Sequence, residues 1–112
     1  MLSRKYRATR KDIENAIKSG FNVESTVLYA KVSRKDTEKA GFAIVVSKKV
    51  EATSVGRHLY KRRISDALEK NLSKFGPDFK KTIVFFAKKQ AKVPEYAEIR
   101  KAVEEIIKKI KI

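Results

Sequence analysis

The sequence predicts an α+β fold, a small two-layer sandwich whose elements run helix, strand, strand, helix, strand, helix around a central mixed sheet. Three observations carry that expectation. Apolar residues recur at helical spacing in three segments, two of them long. β-Branched and aromatic residues concentrate in three short runs bounded by polar or turn-forming residues. The long central helical segment lies between two of those runs, which makes a βαβ unit in which the flanking strands run parallel.

The first helix is predicted over 9–19. Thr9 followed three residues later by Asp12 is a capping-box-like start, and Gly20 suits the left-handed position after a helix end. Ile13, Ala16 and Ile17 give it one apolar stripe, onto which Phe21 is expected to fold back. Residues 26–33 (Thr-Val-Leu-Tyr-Ala-Lys-Val-Ser) read as a strand, Arg34 to Lys39 as a polar loop, and Gly41 to Ser47 as a second strand. The two strands are expected to form a hairpin.

The central helix is predicted over 54–73, with Tyr60, Ile64, Ala67, Leu68 and Leu72 along one side. Phe75-Gly76-Pro77-Asp78 is a turn. Thr82 to Ala87 is a nearly continuous apolar run, short enough to be a central strand. The last helix is expected to start at Pro94, with Ile99, Val103, Ile106, Ile107 and Ile110 on its buried face and Lys108, Lys109 and Lys111 in its last turn, where cations complement the helix dipole.

A length of 112 residues suits a single domain over 1–112, and a hydrophobic fraction of 42% is enough to build a core. No apolar run approaches the ~18 residues needed to cross a bilayer. The start, Met1-Leu2-Ser3-Arg4-Lys5, is basic but lacks the apolar stretch of a secretory signal. Without cysteine there is no disulfide framework and no thiolate metal site. A cytoplasmic protein is the expectation, with no membrane contact and no obligatory protein partner evident.

Charge is the strongest bulk signal. Lys plus Arg number 28 against 13 Asp plus Glu, a formal net charge of +15. A net charge of about 2–8 keeps a small domain soluble, so solubility alone does not explain this excess. Such a potential draws in polyanions, and nucleic acid is the expected partner.

A protein-borne active site finds no support. The single histidine, His58, has no cysteine and no second histidine to share a zinc ion, and the predicted strands contain no acid for a two-metal nuclease. No serine or threonine sits in a nucleophile-elbow or phosphate-loop context. Acids on the helices have a plainer reading, as in Asp66 with Lys70 at i, i+4. The expectation is no catalytic residue and no metal ligand.

The concentrated feature runs from Lys48 to Arg63: six Lys or Arg and one acid, Glu51. At about 100° per residue, Arg57, His58, Lys61 and Arg62 fall within less than half of the helix circumference. They gather at a helix start, where cations oppose the positive end of the dipole and a structural sequence would rather place Asp or Glu. A phosphate backbone on the site explains the arrangement, because it also takes the free N–H groups there. Lys48, Lys49, Arg57, His58, Lys61, Arg62 and Arg63 are the candidate RNA-binding residues. Among the aromatics, Phe42, Phe85 and Phe86 read as core and Tyr60 as packing, while Tyr29 suits a wet cleft where it can stack on an unpaired base.

These residues resemble a family, the protein subunit of bacterial ribonuclease P. Arg7 to Gly20, ending in Lys18-Ser19-Gly20, looks like its first helix, and Val27-Leu28-Tyr29 like its first strand. Val46-Ser47-Lys48-Lys49-Val50 is similar to its strand-end signature, and Arg57 to Arg63 falls where the family carries Arg-Asn-Arg-x-Lys-Arg. Ile83 to Ala87 and Tyr96-Ala97-Glu98-Ile99 are similar to its late strand and closing helix. The most specific part is Ser47-Lys48-Lys49 followed eight residues later by Arg57. There are departures. His58 stands where the family usually has Asn, Leu59 where it has a second Arg, and Gly41 and Ala43 where it commonly has Arg and Gly. Ile13 and Ile17 replace aromatics often found on the first helix.

The resemblance implies a fold like the second domain of ribosomal protein S5, with a left-handed βαβ crossover against the usual preference. It implies a complex with ribonuclease P RNA and precursor tRNA, in which the RNA and magnesium ions bound mainly by it remove the 5′ leader. The chain is then an accessory subunit of an endoribonuclease. Its cationic residues would contact the catalytic RNA, and a cleft including Ile13, Ile17 and Tyr29 would hold the leader. The alternative is a non-catalytic RNA-binding or ribosomal protein of similar fold. Charge and size fit both, and the ordered motif match favours the first. A DNA-binding regulator is a weaker fit, since no helix-turn-helix spacing is present.

Overall fold

The computed structural model describes residues 4–76 and 78–111. Met1 to Ser3 of the basic start, Pro77 of the expected turn and Ile112 lie outside the described residues. Three helices, α1 (Arg10–Ser19), α2 (Ser54–Asn71) and α3 (Tyr96–Lys111), accompany four strands, β1 (Phe21–Glu24), β2 (Leu28–Val32), β3 (Gly41–Val45) and β4 (Thr82–Ala87). Short 3₁₀ turns cover Arg4–Tyr6 and Leu72–Lys74.

The strands form one mixed sheet in the order β1-β2-β4-β3. β1–β2 and β2–β4 are antiparallel, and β3–β4 is parallel. The expected βαβ unit is therefore present, with α2 as its crossover. The expected hairpin is not, because β4 lies where β3 would have paired with β2. The polar segment after β2 is instead tied to the residues before β4. The Ser33 backbone N–H donates to the Thr82 carbonyl at 2.9 Å, the Thr37 hydroxyl to the Lys80 carbonyl at 2.7 Å, and the Lys81 ammonium to the Arg34 carbonyl at 2.9 Å.

β1 is an additional strand beyond the three that the sequence predicts. It has four residues, of which Asn22 and Glu24 point outward, so its alternation is too short to stand out. It also corrects two expectations. Phe21 packs against the main core rather than onto the α1 stripe. Gly20 has φ −75° and ψ 168°, not a left-handed conformation. Its requirement is close approach, since a Cβ would collide with the carbonyl oxygens of Ala16 and Val32.

Thr9 caps α1 as expected, its hydroxyl accepting from the Asp12 N–H at 3.2 Å. α3 starts two residues later than expected, at Tyr96, with Pro94 buried before it. Asp66 makes no ion pair with Lys70, whose ammonium lies 5.3 Å from the Tyr96 ring centroid.

Strand alternation sorts the sheet into two faces. Leu28, Ala30 and Val32 of β2, Ile83 and Phe85 of β4, and Phe42 of β3 face α2 and α3, where they meet Tyr60, Ile64, Ala67, Leu68, Ile99, Val103, Ile106 and Ile107. The Tyr60 hydroxyl lies 3.0 Å from the carbonyl oxygens of both Val27 and Lys88, and burial pushes its pKa up to about 12. α1 lies across part of the opposite face, where Ala16 and Val84 are fully buried.

Candidate nucleic-acid interface

α1 covers only half of its face of the sheet. Gly20 abuts Val32, and Ala8 donates its N–H to the Phe42 carbonyl at 3.0 Å, so the helix spans the row Lys31, Val84 and Ala43. The next row on that face is Tyr29, Phe86 and Val45, about 7 Å further along the strands. All three of its side chains are half-buried rather than covered. Tyr29 and Phe86 stack, with ring centroids 4.9 Å apart and planes 7° apart. Ile17 of α1 is 40% exposed and Ile13 half-buried, so the apolar stripe of α1 also stays partly open. Phe86, read from the sequence as core, belongs to this open row. Its place in a continuous apolar run hid it, because only pairing to Tyr29 and Val45 shows which face is uncovered.

The parallel strands β3 and β4 both end at this side of the sheet, and β3 leads directly into the basic segment. A turn closes over Ser47, whose carbonyl accepts from the N–H groups of Val50 and Glu51 at 3.1 Å each. Lys48 and Lys49 sit at the exposed tip of that turn. Thr53 caps α2, its hydroxyl accepting from the Gly56 N–H at 3.0 Å.

The start of α2 differs from expectation in its charge. The Glu51 carboxylate reaches it, accepting from the Thr53 N–H at 3.2 Å and the Thr53 hydroxyl at 3.1 Å. A Cβ on Gly56 would strike Cγ and Cδ of Glu51, so glycine is what lets that side chain lie across the first turn. An acid does therefore complement the dipole at this end. Residue spacing does not show this, because Glu51 precedes the helix by three residues and reaches it only by folding back.

The candidate cations separate into three groups. His58, Lys61 and Arg62 are exposed, and among the described residues Lys48, Lys49, Lys61 and Arg62 have no carboxylate partner within ion-pair distance. Lys61 lines a cavity of 280 Å³ at the outer edge of β3, where Arg7 bridges to Phe42, together with Arg7, Ile13, Ala43 and Ile44. Arg7, exposed and not singled out in the sequence, thus joins the basic edge between α2 and α1. Arg57 turns back onto the preceding loop, with Nη1 2.8 Å from the Ala52 carbonyl and 3.1 Å from that of Glu51. Arg63 lies about 160° around the helix from Lys61 and donates to the Pro94 carbonyl at 2.7 Å. That bond ties α2 to the start of α3 and engages Arg63 away from the basic edge.

Among the described residues no group of three or more His, Asp or Glu side chains is arranged to hold a metal ion, and no helix is long and apolar enough to cross a membrane. The surface offers positive charge and an aromatic floor.

Comparison with known proteins agrees with that inventory. No curated protein matches the sequence at a significant level. The RNase P protein of Staphylococcus aureus, solved at 2.0 Å, is similar with a TM-score of 0.77 and 24% identity over 96% of each chain. A further structure of the Staphylococcus aureus RNase P protein has the same TM-score and identity, over 100% of this chain and 94% of that one. A Staphylococcus aureus mutant described as defective in mRNA degradation activity is 22% identical, again with a TM-score of 0.77, over 96% and 90% of the two chains. At those identities the likeness shows the fold. The family is shown by sequence, through the model described as Ribonuclease P, which matches residues 2–111. The chain belongs to the ribonuclease P protein family, the protein subunit of the endoribonuclease that matures tRNA 5′ ends.

Proposed function

We propose that the chain does this work by binding ribonuclease P RNA and the 5′ leader of precursor tRNA on two adjoining surfaces. Lys48, Lys49, His58, Lys61 and Arg62 take the phosphates of the catalytic RNA. The open row of Tyr29, Phe86 and Val45, walled by Ile13 and Ile17, takes the single-stranded leader. The observation that carries this reading is their adjacency: the uncovered aromatic row lies at the end of the sheet from which the Lys48–Lys49 turn departs. A leader lying on the rings can therefore continue directly into RNA held by the lysines.

The protein's contribution is electrostatic and positional. Each phosphate neutralised by a lysine or arginine releases a condensed counterion, which stabilises the complex and makes it salt-dependent. The mutual stack of Tyr29 and Phe86 leaves the outer ring faces and one hydroxyl for unpaired bases, a sequence-tolerant way to hold them. Magnesium is assigned to the RNA, as the family resemblance implies. When bound there it supplies the activated water and the charge stabilisation of phosphodiester hydrolysis. The protein lowers the magnesium requirement by neutralising phosphates that the ions would otherwise screen. The proposed place of action is the cytoplasm.

Reconstitution tests the reading. The purified chain is mixed with a bacterial ribonuclease P RNA at low magnesium, and 5′ cleavage of a precursor tRNA is followed. The expected result is cleavage that requires both components. Tight RNA binding without rescue of cleavage would move the chain to a general RNA-binding role.

A further inference from the structure

We infer that Arg57 is a positioning residue, which acts on RNA through the Lys48–Lys49 turn rather than by touching a phosphate. The inference rests on the RNA-binding reading of that turn. Its side chain is half-buried and its fork is already occupied: Nη1 lies 2.8 Å from the Ala52 carbonyl oxygen and 3.1 Å from that of Glu51, and Nη2 lies 3.2 Å from Oγ of Ser54. Those carbonyls belong to the last stretch of loop between the turn and the helix. Arg57 therefore fastens the loop to the first turn of α2 from below.

Three neighbours complete the clasp. Ser47 closes the turn through its carbonyl, and its hydroxyl lies 3.3 Å from the Val50 nitrogen. Glu51 turns its carboxylate inward onto Thr53, and Gly56 leaves the space that Glu51 needs. Between Ser47 at one end and Arg57 at the other, the loop has little freedom, and Lys48 and Lys49 are held at a fixed place relative to His58, Lys61 and Arg62. Fixing them before RNA arrives removes ordering entropy from the binding step.

The guanidinium is required by geometry as well as by charge. A planar fork reaches two carbonyl oxygens and a hydroxyl at once, whereas a lysine ammonium is a point donor on a flexible stem. A contact made by charge alone would tolerate Arg57→Lys, and any direct phosphate contact would lose affinity independently of Lys48 and Lys49. A clasp would do neither.

The test is a mutant cycle read by RNA affinity, with a second readout on the free protein. Arg57→Lys, the pair Lys48→Ala/Lys49→Ala, and the triple variant are compared in binding to ribonuclease P RNA. Arg57→Lys should weaken binding about tenfold alone, and less than about twofold when the two lysines are already gone, because coupled residues are non-additive. In the free protein, amide exchange at Val50 and Glu51 should quicken by about tenfold in Arg57→Lys while exchange in the sheet stays unchanged. Full affinity in Arg57→Lys, or losses that add independently, would overturn the clasp. Failure of the unaltered protein to bind the RNA would instead sink the RNA-binding reading, and the exchange measurement would still decide whether Arg57 holds the loop.

Discussion

The ring of Tyr29 on β2 lies flat against the ring of Phe86 on β4, 4.9 Å from centroid to centroid. The two residues are direct partners in the antiparallel ladder, so the stack is fixed by register rather than by side-chain choice. It lies on the half of the sheet that α1 leaves open. The pair is therefore a half-buried aromatic stack at the end of the sheet from which the Lys48–Lys49 turn departs.

Tyr29→Ala should weaken binding of leader-bearing precursor tRNA by about five- to tenfold, in line with roughly 1–3 kcal/mol per stacked base. Binding of mature tRNA by the same reconstituted complex should change little. Side-by-side affinity measurements with the two RNAs check this, and equal losses for both would refute the cleft.

Replacing Lys61 and Arg62 together by Ala should reduce the slope of log affinity against log salt by about 1–2, because two phosphate contacts are lost. Arg63→Ala is the contrast. It removes a charged donor from the Pro94 carbonyl and should lower folding stability by about 1–2 kcal/mol while leaving the salt slope unchanged. Salt titrations of RNA binding and denaturant unfolding of the free proteins separate the two effects. A lower slope for Arg63→Ala would return that residue to the RNA surface.

Tyr60 supplies a pH prediction. Its pKa is raised from 10.0 to about 12 by burial, so the folded state holds the phenolic proton more tightly than the unfolded chain does. The stability contributed by the neutral hydroxyl is thus complete below pH 10 and declines as the pH rises from 10 towards 12. The advantage of the native protein over Tyr60→Phe, which leaves the Val27 and Lys88 carbonyls without this donor, should shrink across that interval. Unfolding of the two proteins at matched alkaline pH cancels the shared titration of the lysines. A constant difference would show that the hydroxyl is not held as described.

The sequence by itself determined which segments become helices and strands wherever periodicity ran long enough. α3 shows its whole buried face in Ile99, Val103, Ile106 and Ile107, and α1 shows its cap in Thr9. It also determined the sign of the surface and the gathering of cations between Lys48 and Arg63, since charge and spacing are local properties. Tertiary structure alone decided strand order. Nothing local distinguishes a hairpin of β2 with β3 from the observed order, in which the long polar connection lets β4 lie between them. It likewise decided which cations remain available. Arg57, Lys61 and Arg63 are the same kind of residue on one helix, but one bends to its own loop, one looks over the β3 edge, and one meets the Pro94 carbonyl. A side chain's partner is set by what the fold brings within about 3 Å of it, and that distance is not encoded in the spacing of residues along the chain.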